Sequence, residues 1–271
     1  MRPSLILGLA AMALLVPVAT SAQEADSAWQ LAGLRTGFCI QFLLDPALVR
    51  DLPSGFRIAA ASEARDLHPS LRDVITSQTE FASWAPSRLC FHALDTIRGP
   101  DFTVKGKRDR PQLFATWTVE AATPAGGIHD AVLSLITSSG RVARAADELG
   151  QEMRDGRLHI GKVPTVDEDG VPSSDDRFEV KIGSTLITWD GRLARDTVRV
   201  LQAVTMEWSN PWAKGGEAVG RITLRPLHAR AMVGALKVEG KDVVAKALRA
   251  SPTRFAGPAY EGGEGMLRLR Q

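Results

Sequence analysis

The stretch that decides the fold is FCIQFLLDPALVRDLPSGFRI, residues 38–58. It begins with strand-forming residues and then reaches Asp45-Pro46, which places an N-cap acceptor directly before a proline at the first helical position. Leu52-Pro53-Ser54-Gly55 stops this helix within two turns, and Phe56-Arg57-Ile58 resumes an extended conformation. The stretch therefore predicts a strand, a short capped helical turn and a second strand.

The rest of the chain is rich in strand patterns. The clearest hairpin joins Phe178–Ile182 to Thr185–Trp189, because Gly183 at the first loop position suits a type II′ turn. Helices are predicted at Pro69 to about Ala82 and at Gly140–Met153. Further strands are predicted at Leu89–Leu94, Leu113–Val119, Val198–Trp208, Gly220–Leu224, Ala231–Val238 and Met266–Leu269. The pattern predicts an α+β, mainly β fold, an antiparallel sheet or barrel with a few short helices.

The N-terminus carries the features of a secretory signal peptide. Met1 and Arg2 precede an apolar run from Leu5 to Val18 that ends in the small residues 19–22. The run is short for a bilayer span and leads directly into a polar segment, so a retained N-terminal anchor is the alternative interpretation. We predict a signal peptide at residues 1–22, cleavage near Gln23, and an exported, periplasmic or secreted chain.

The remaining residues, 23–271, are predicted to form a single domain. Loss of Arg2 leaves a net charge of about +1, which implies neither a nucleic-acid partner nor a membrane surface. The only cysteines are Cys39 and Cys90, both in apolar strand patterns. In an oxidising compartment they predict one disulfide, with two buried free thiols as the alternative.

The motifs of common enzyme classes are missing from the sequence. It contains no G-x-S-x-G elbow, H-E-x-x-H helix, P-loop, S-x-x-K or paired C-x-x-C. The five histidines are scattered, and the acidic loop at residues 167–170 begins like a calcium loop but lacks the glutamate at the expected spacing. No metal site and no cofactor are therefore predicted.

The tryptophans divide into two groups. Trp117, Trp189 and Trp208 lie inside strand patterns, where packing in the core is the default. Trp212 follows Asn210-Pro211 and is predicted to lie on a loop. It is therefore the tryptophan predicted to contact a ligand.

The opening stretch resembles the N-terminal signature of the acetoacetate decarboxylase-like superfamily. That signature is an extended segment with Asp-Pro-x-x-Leu, then Leu-Pro-x-Gly before a strand, here Phe42–Leu48 and Leu52–Phe56. The segment Ala146–Met153 is similar to the helix bearing Gly-Arg-Glu in that family, and strands like Arg157–Val166 and Phe178–Trp189 follow it. The resemblance spans most of the mature chain in its order of elements, and about twenty residues carry it.

This resemblance implies a cone-shaped antiparallel β-barrel around an apolar cavity and, in the family's enzymes, a lysine that forms a Schiff base with a keto acid. The present sequence departs from the family at two places. The Lys-Lys pair aligns with Arg157-Leu158-His159, which has no lysine, and Lys162 stands three residues on. The arginine expected before Asp-Pro is also absent, since Gln41–Leu44 carries no charge. Both departures argue against keto-acid decarboxylation.

Three functions follow from these observations. The favoured one is an exported barrel that binds a small apolar or carbonyl-containing molecule in a central cavity. The second is a divergent lyase or hydrolase, with Lys162 or Lys181 as the amine and Glu152 or His159 as the proton carrier. The third is a structural or interaction protein of the envelope, with the cavity filled by tryptophans. No nucleic-acid partner, no integral membrane segment in the mature chain and no particular oligomeric state are predicted.

Overall fold

The computed structural model of the chain describes residues 26–64, 67–123, 126–166, 172–193, 197–213 and 216–271. The predicted signal peptide, its cleavage site and the acidic loop at residues 167–170 lie outside the described residues. No described helix is long and apolar enough to cross a membrane.

Strands dominate the described residues. In chain order they are β1 (Asp26–Leu44), β2 (Arg57–Ile58), β3 (Ala85–Arg98), β4 (Thr103–Lys105), β5 (Gln112–Ala122), β6 (Ile128–Thr137), β7 (Met153–Asp155), β8 (Leu158–Val166) and β9 (Pro172–Ile182). They continue as β10 (Thr185–Leu193), β11 (Val198–Arg199), β12 (Val204–Asn210), β13 (Ala218–Arg225), β14 (His228–Arg230), β15 (Met232–Glu239), β16 (Arg254–Ala256), β17 (Ala259–Glu261) and β18 (Glu264–Arg270).

The helices are few and short. Three α-helices are described: α1 (Pro69–Ser77), α2 (Gly140–Asp147) and α3 (Val243–Ala250). Short segments of 3₁₀ helix occur at Pro46–Leu48, Ala61–Glu63 and Thr79–Ser83. This small helical content confirms the predicted mainly β class.

Seven strands of the larger sheet pair in a ring. β1 pairs with β3, β3 with β5, β5 with β6, β6 with β12, β12 with β13, β13 with β18, and β18 pairs back onto β1. Every pair is antiparallel except β6 with β12, which is parallel. This order of pairing in the curled sheet is compatible with the barrel that the sequence predicts.

A second sheet packs against the outside of this ring. It contains β8, β9, β10 and β15 in antiparallel order, and the turn at Gly183 (φ 56°) joins β9 to β10 with Ile182 opposite Thr185. This confirms the predicted hairpin. Apolar side chains from both sheets and from α3 form one buried cluster, which includes Phe38, Phe91, Trp117, Val180, Ile187, Trp189 and Leu248.

The opening stretch folds as its sequence predicts. β1 ends at Leu44, and the Asp45 carboxylate accepts a hydrogen bond of 2.9 Å from the Ala47 backbone N–H, which caps the 3₁₀ turn at Pro46–Leu48. Gly55 has φ 90°, a left-handed conformation that glycine adopts without strain, before β2 begins. The strand before the cap is longer than predicted, because β1 extends back to Asp26 and pairs there with β18.

Two helix predictions need correction. The helix predicted to reach Ala82 ends at Ser77, because Gln78 leaves the helical region (φ −133°, ψ 84°) and a 3₁₀ turn follows. The helix predicted to reach Met153 ends at Asp147, since Gly150 and Glu152 both have positive φ, at 71° and 46°. Helix α3, which Asp242 caps through the Ala245 N–H, was missed.

The predicted disulfide between Cys39 and Cys90 is present. The two residues are directly opposed in the register of β1 and β3, with their Cα atoms 4.0 Å apart. Cys90 is fully buried, whereas Cys39 is only partly so. The bond therefore fastens together two neighbouring strands of the ring.

Candidate ligand cavity

A cavity of about 950 Å³ opens at one end of the ring of strands. Its wall is formed by β1, β3, β5, β6 and β12, and residues near the 3₁₀ turn at Ala61–Glu63 and the start of α1 form its rim. The polar and charged lining residues include Gln41, Arg57, Glu63, His68, Arg88, Glu120, His129, Asp130 and Glu207. The apolar ones include Leu67, Leu71, Pro86, Ala122, Ile128 and Met206.

The alternation of side chains along the strands places polar groups on this wall. Gln41 on β1 is opposite Arg88 on β3, and Glu120 on β5 is opposite Asp130 on β6. Their chain neighbours point the other way: Ile40, Leu89, Val119 and Ala131 belong to the buried cluster shared with the second sheet. The apolar alternate positions thus drive the folding of strands whose other face carries the candidate site.

The central polar feature of the wall is an ion pair. Arg88 Nη2 contacts Asp130 Oδ2, with the Arg88 side chain 40% exposed and that of Asp130 10% exposed. Burial raises the pKa of the Asp130 carboxyl, while the charge and hydrogen bond of Arg88 and a hydrogen bond from Thr118 act in the opposite direction. The protonation state of the Asp130 carboxyl in this cavity therefore depends on its neighbours.

The rim is ordered by its own contacts. Arg57 donates two hydrogen bonds to the Glu63 carboxylate, at 2.9 and 2.7 Å. His68 caps α1 by accepting a hydrogen bond of 3.2 Å from the Ser70 N–H, and its ring lies 3.8 Å from that of Phe255. The entrance is therefore framed by groups that are already engaged with the protein.

Deeper in the ring, the wall becomes apolar. Met206 lines the cavity, and its Sδ lies 3.7 Å from Cys39 Sγ. Beyond the disulfide, Phe114 packs between His92 and Trp208, with ring centroids 6.2 and 6.4 Å away. These aromatic side chains fill this end of the ring of strands, and the cavity occupies the other end.

Comparison with solved structures gives matches over nearly the whole chain. The enduracididine biosynthesis enzyme MppR complexed with pyruvate aligns with 94% of this chain and 92% of its own, at 10% identity and a TM-score of 0.50. MppR with HEPES bound aligns with 95% of this chain and 90% of its own, at 11% identity and a TM-score of 0.44. An acetoacetate decarboxylase-like enzyme from Sphingomonas wittichii RW1 aligns with 97% of this chain and 100% of its own, at 11% identity and a TM-score of 0.45.

The chain has an acetoacetate decarboxylase-like fold. No family model and no curated protein matches the sequence. At 10% identity the likeness to MppR is one of fold, and it confirms the fold that the opening stretch predicted.

Three of the four predicted catalytic residues, Glu152, His159 and Lys181, are not among the residues that line the cavity. His159 is exposed on β8, and Lys181 is exposed on β9, where it forms an ion pair of 2.8 Å with Glu179. Glu152 is exposed after α2 and lies 3.9 Å from Arg50. Lys162 is on β8 opposite Phe178, but the placement of its side chain lies outside the described part. The catalytic role of these four residues stays a prediction.

Trp212 also lies outside the cavity lining. Its indole N–H donates a hydrogen bond of 2.9 Å to the Asp51 carbonyl, and the Arg50 guanidinium stacks 3.7 Å from the ring centroid. Both contacts join the loop after β12 to the segment before β2. The described contacts of Trp212 are thus with the protein itself, and its role as a ligand contact stays a prediction.

Sequence reasoning missed Arg88, Glu120 and Asp130. A signal was present, since Arg88 directly precedes the strand pattern at Leu89, and Glu120 directly follows the one ending at Val119. Side chains alternate between the two faces of a strand, so a charged residue at the end of an apolar strand pattern can lie on the face that lines a cavity. Among the described residues, no group of three histidine, cysteine or acidic residues could hold a metal ion.

Proposed function

We propose that the protein binds a small apolar or carbonyl-containing molecule in the cavity of its acetoacetate decarboxylase-like fold, without standard decarboxylase activity. The observation that carries this proposal is the open cavity of about 950 Å³ with the Arg88–Asp130 pair on its wall. Its size is in the range of cavities that enclose a small molecule.

The composition of the wall supports a ligand with both apolar and polar parts. Leu67, Leu71 and Ile128 provide apolar surface near the entrance. Gln41 offers an amide on the wall opposite Arg88, and an amide can donate to or accept from a carbonyl-bearing ligand. The lining thus combines apolar surface with many polar groups, which suits a ligand that carries both kinds of group.

The lining argues against Schiff-base chemistry. That chemistry needs a neutral amine inside the cavity, and no lysine occurs among the described residues that line it. Lys181, one of the two predicted amines, instead pairs with Glu179 on the exposed face of the second sheet. The placement of Lys181 favours binding over decarboxylation, whereas the side chain of Lys162 lies outside the described part of the chain.

The tryptophans also favour ligand binding over a purely structural role. Trp117 and Trp189 pack in the cluster between the two sheets, and Trp208 packs in the far end of the ring. An envelope protein with a filled interior is therefore the less favoured function. Export is proposed from the predicted signal peptide together with the Cys39–Cys90 disulfide, because disulfides form in oxidising compartments.

A divergent lyase or hydrolase is the second candidate, and Asp130 is the residue that favours it. A buried carboxyl with a raised pKa in a cavity is the kind of group that transfers protons. This candidate predicts turnover of carbonyl compounds that Asp130→Asn abolishes. Incubation of the protein with keto acids and esters, followed by NMR, tests it, and unchanged substrates would eliminate it.

Narrowing the cavity tests the main proposal. Ile128 lines the cavity and is 37% exposed, so Ile128→Trp should place a larger side chain there without disturbing the core. Val233→Trp is the matched control, because Val233 is 67% exposed on β15 and does not line the cavity. Native mass spectrometry and thermal-shift assays with a metabolite panel should show the same ligands for wild type and Val233→Trp, and weaker binding of them for Ile128→Trp. The proposal fails if Ile128→Trp binds the same ligands equally well.

A further inference from the structure

We infer that the basic hairpin between β4 and β5 binds the phosphate groups of an anionic phospholipid membrane. This inference is independent of the proposed function. The hairpin carries four exposed cations and one exposed acidic residue, a local net charge of +3, and these residues are Lys105, Lys107, Arg108, Arg110 and Asp109. The net charge of the whole chain is only +2, so the charge of the chain as a whole does not indicate this local cluster.

The cations of the basic hairpin are available to a partner. Arg110 lies 3.8 Å from Asp109, in a pair whose side chains are 84% and 75% exposed. A pair that is exposed to this extent is screened by solvent and holds its members weakly. The side chains of Lys105, Lys107 and Arg108 form no ion pair with any described residue.

Backbone contacts give the basic hairpin a defined shape. Lys107 and Arg110 exchange two backbone hydrogen bonds, of 2.8 and 3.1 Å, so Arg108 and Asp109 form the tip of the turn. A Cβ atom at Gly106 would lie 2.9 Å from the Cα atom of Pro111, and glycine is therefore needed for this close approach. The cations are thus presented by an ordered turn.

Arg35 on β1 holds the turn in place. Its guanidinium donates hydrogen bonds to the backbone carbonyls of Lys107, at 3.0 Å, and of Arg108. The charge of Arg35 is balanced by Asp95, whose Oδ1 lies 2.6 Å from Arg35 Nε. The fold therefore keeps several like charges together in one turn. Their mutual repulsion opposes this arrangement, and an anionic surface would relieve it.

The basic hairpin and the cavity lie at opposite ends of the same strand. β5 begins at Gln112, directly after the hairpin, and Glu120 and Ala122 near its other end line the cavity. Ten steps of extended strand separate the two ends, which corresponds to about 33 Å. A membrane that contacts the hairpin would therefore leave the cavity open.

The composition of the basic hairpin favours a lipid surface over a nucleic acid. Residues 105–112 include no aromatic and no branched aliphatic side chain. The hairpin thus has no ring on which bases could stack, and no large apolar group to insert into the hydrocarbon layer. Clustered cations alone suffice for attraction to anionic headgroups. We therefore expect reversible binding at the level of the headgroups, which salt weakens.

Co-sedimentation with vesicles tests the inference. The chain from Gln23 onward is used, so that the apolar run at the N-terminus cannot itself bind lipid. At an ionic strength of about 0.01 M it should pellet with phosphatidylglycerol vesicles and stay in solution with phosphatidylcholine vesicles. Salt at about 1 M should release it. Equal binding to both kinds of vesicle, or binding to neither, overturns the inference.

Neutralising the turn locates the effect. Lys107→Gln, Arg108→Gln and Arg110→Gln together should lower the partition coefficient onto phosphatidylglycerol about a hundredfold, since each cation near the surface contributes about fivefold. Arg108→Gln alone, which changes only the tip, should lower it about fivefold. A urea midpoint equal to that of the wild type confirms that each variant is folded.

A control variant removes the same charge elsewhere. It combines three exposed positions on β11, before α3 and within α3, namely Arg199→Gln, Lys241→Gln and Lys246→Gln. This control should bind phosphatidylglycerol vesicles nearly as well as the wild type. If the turn variants bind as tightly as the control, the hairpin is not the membrane contact. Tighter binding of the wild type to a single-stranded DNA oligonucleotide than to the vesicles, at equal phosphate concentration, would also overturn the inference.

Discussion

Cys39 and Cys90 are directly opposed on β1 and β3, and their disulfide lies on the same face of the sheet as Gln41 and Arg88. Gln41 is two residues beyond Cys39 and Arg88 is two residues before Cys90, so both pairs project toward the interior of the ring. The disulfide therefore fixes the register of the two strands that carry part of the cavity wall.

Removal of the disulfide should destabilise the fold. Cys39→Ala combined with Cys90→Ala should lower the free energy of unfolding by about 4 kcal/mol in the chain-entropy account, because the bond closes a loop across a separation of 51 residues. Urea denaturation of the two proteins measures the difference. Dithiothreitol should shift the midpoint of the wild type and leave that of the double variant in place. Equal midpoints for both oxidised proteins would contradict the prediction.

The cap at Asp45 provides the second prediction. Asp45→Ala removes the acceptor of the Ala47 N–H and should cost about 0.5–2 kcal/mol of stability. Asp51→Ala is the control, because the described contact of Asp51 is made by its backbone carbonyl, which the substitution retains. A urea midpoint for Asp45→Ala equal to that of the control would show that the cap does not stabilise the fold.

The predictable part of the fold is encoded locally. Asp45-Pro46 starts its helical turn through atoms two residues away, and Gly183 sets its hairpin through its own backbone conformation. Both features are therefore visible in a few neighbouring residues. The helix after Ser139 was predicted to be too long although Gly150, which has φ 71°, is a residue type that commonly follows the end of a helix.

The candidate site could not be predicted in the same way. Arg88 and Asp130 are 42 residues apart in the chain and meet only because β3, β5 and β6 pair in one register. A shift of one residue in either pairing would exchange these charged groups with apolar neighbours such as Leu89 and Ala131. The sequence pattern predicts the strands, whereas the register that assembles the wall depends on packing along the whole ring.

His92 makes the fold sensitive to acid. It is 2% exposed, its two ring nitrogens have no partner among the described residues, and burial lowers its pKa to about 4 from 6.5. The folded state therefore binds this proton less readily than the unfolded state. The contribution of His92 to stability should be full above pH 6.5, fall as the pH drops toward about 4, and change no further below that. We expect this loss to amount to about 3 kcal/mol.

His92→Phe tests this behaviour, because it removes the titratable imidazole and keeps an aromatic ring opposite Phe114. Urea melts between pH 4 and pH 7 should show a smaller acid-dependent loss of stability for the variant than for the wild type. His228→Phe, at an exposed position on β14, is the control and should keep the wild-type dependence. Identical pH dependence in His92→Phe and wild type would show that the pKa of His92 does not differ between the folded and unfolded states.

The Arg88–Asp130 pair yields the last prediction. Arg88→Met keeps the aliphatic part of the side chain and removes the charge that lowers the pKa of Asp130. With only the smaller effects of Thr118 and His129 left to oppose burial, that pKa should rise further above its unfolded value. A carboxyl group whose pKa is raised by folding stabilises the fold fully below the unfolded pKa, and this contribution is lost as the pH rises through the folded pKa.

Arg88→Met should therefore be more destabilised at pH 8 than at pH 4. The cost at high pH should be about 1–3 kcal/mol, below that of breaking a fully buried pair, since Arg88 is partly exposed and solvent screens its charge. Combining Arg88→Met with Asp130→Asn should remove the additional loss at high pH, because no carboxyl group is then left to ionise on the wall. Urea melts of the three proteins across this pH range measure the effect. Equal destabilisation of Arg88→Met at both pH values would mean that Asp130 stays ionised without its arginine, and the pair would then have no part in setting the protonation of the cavity.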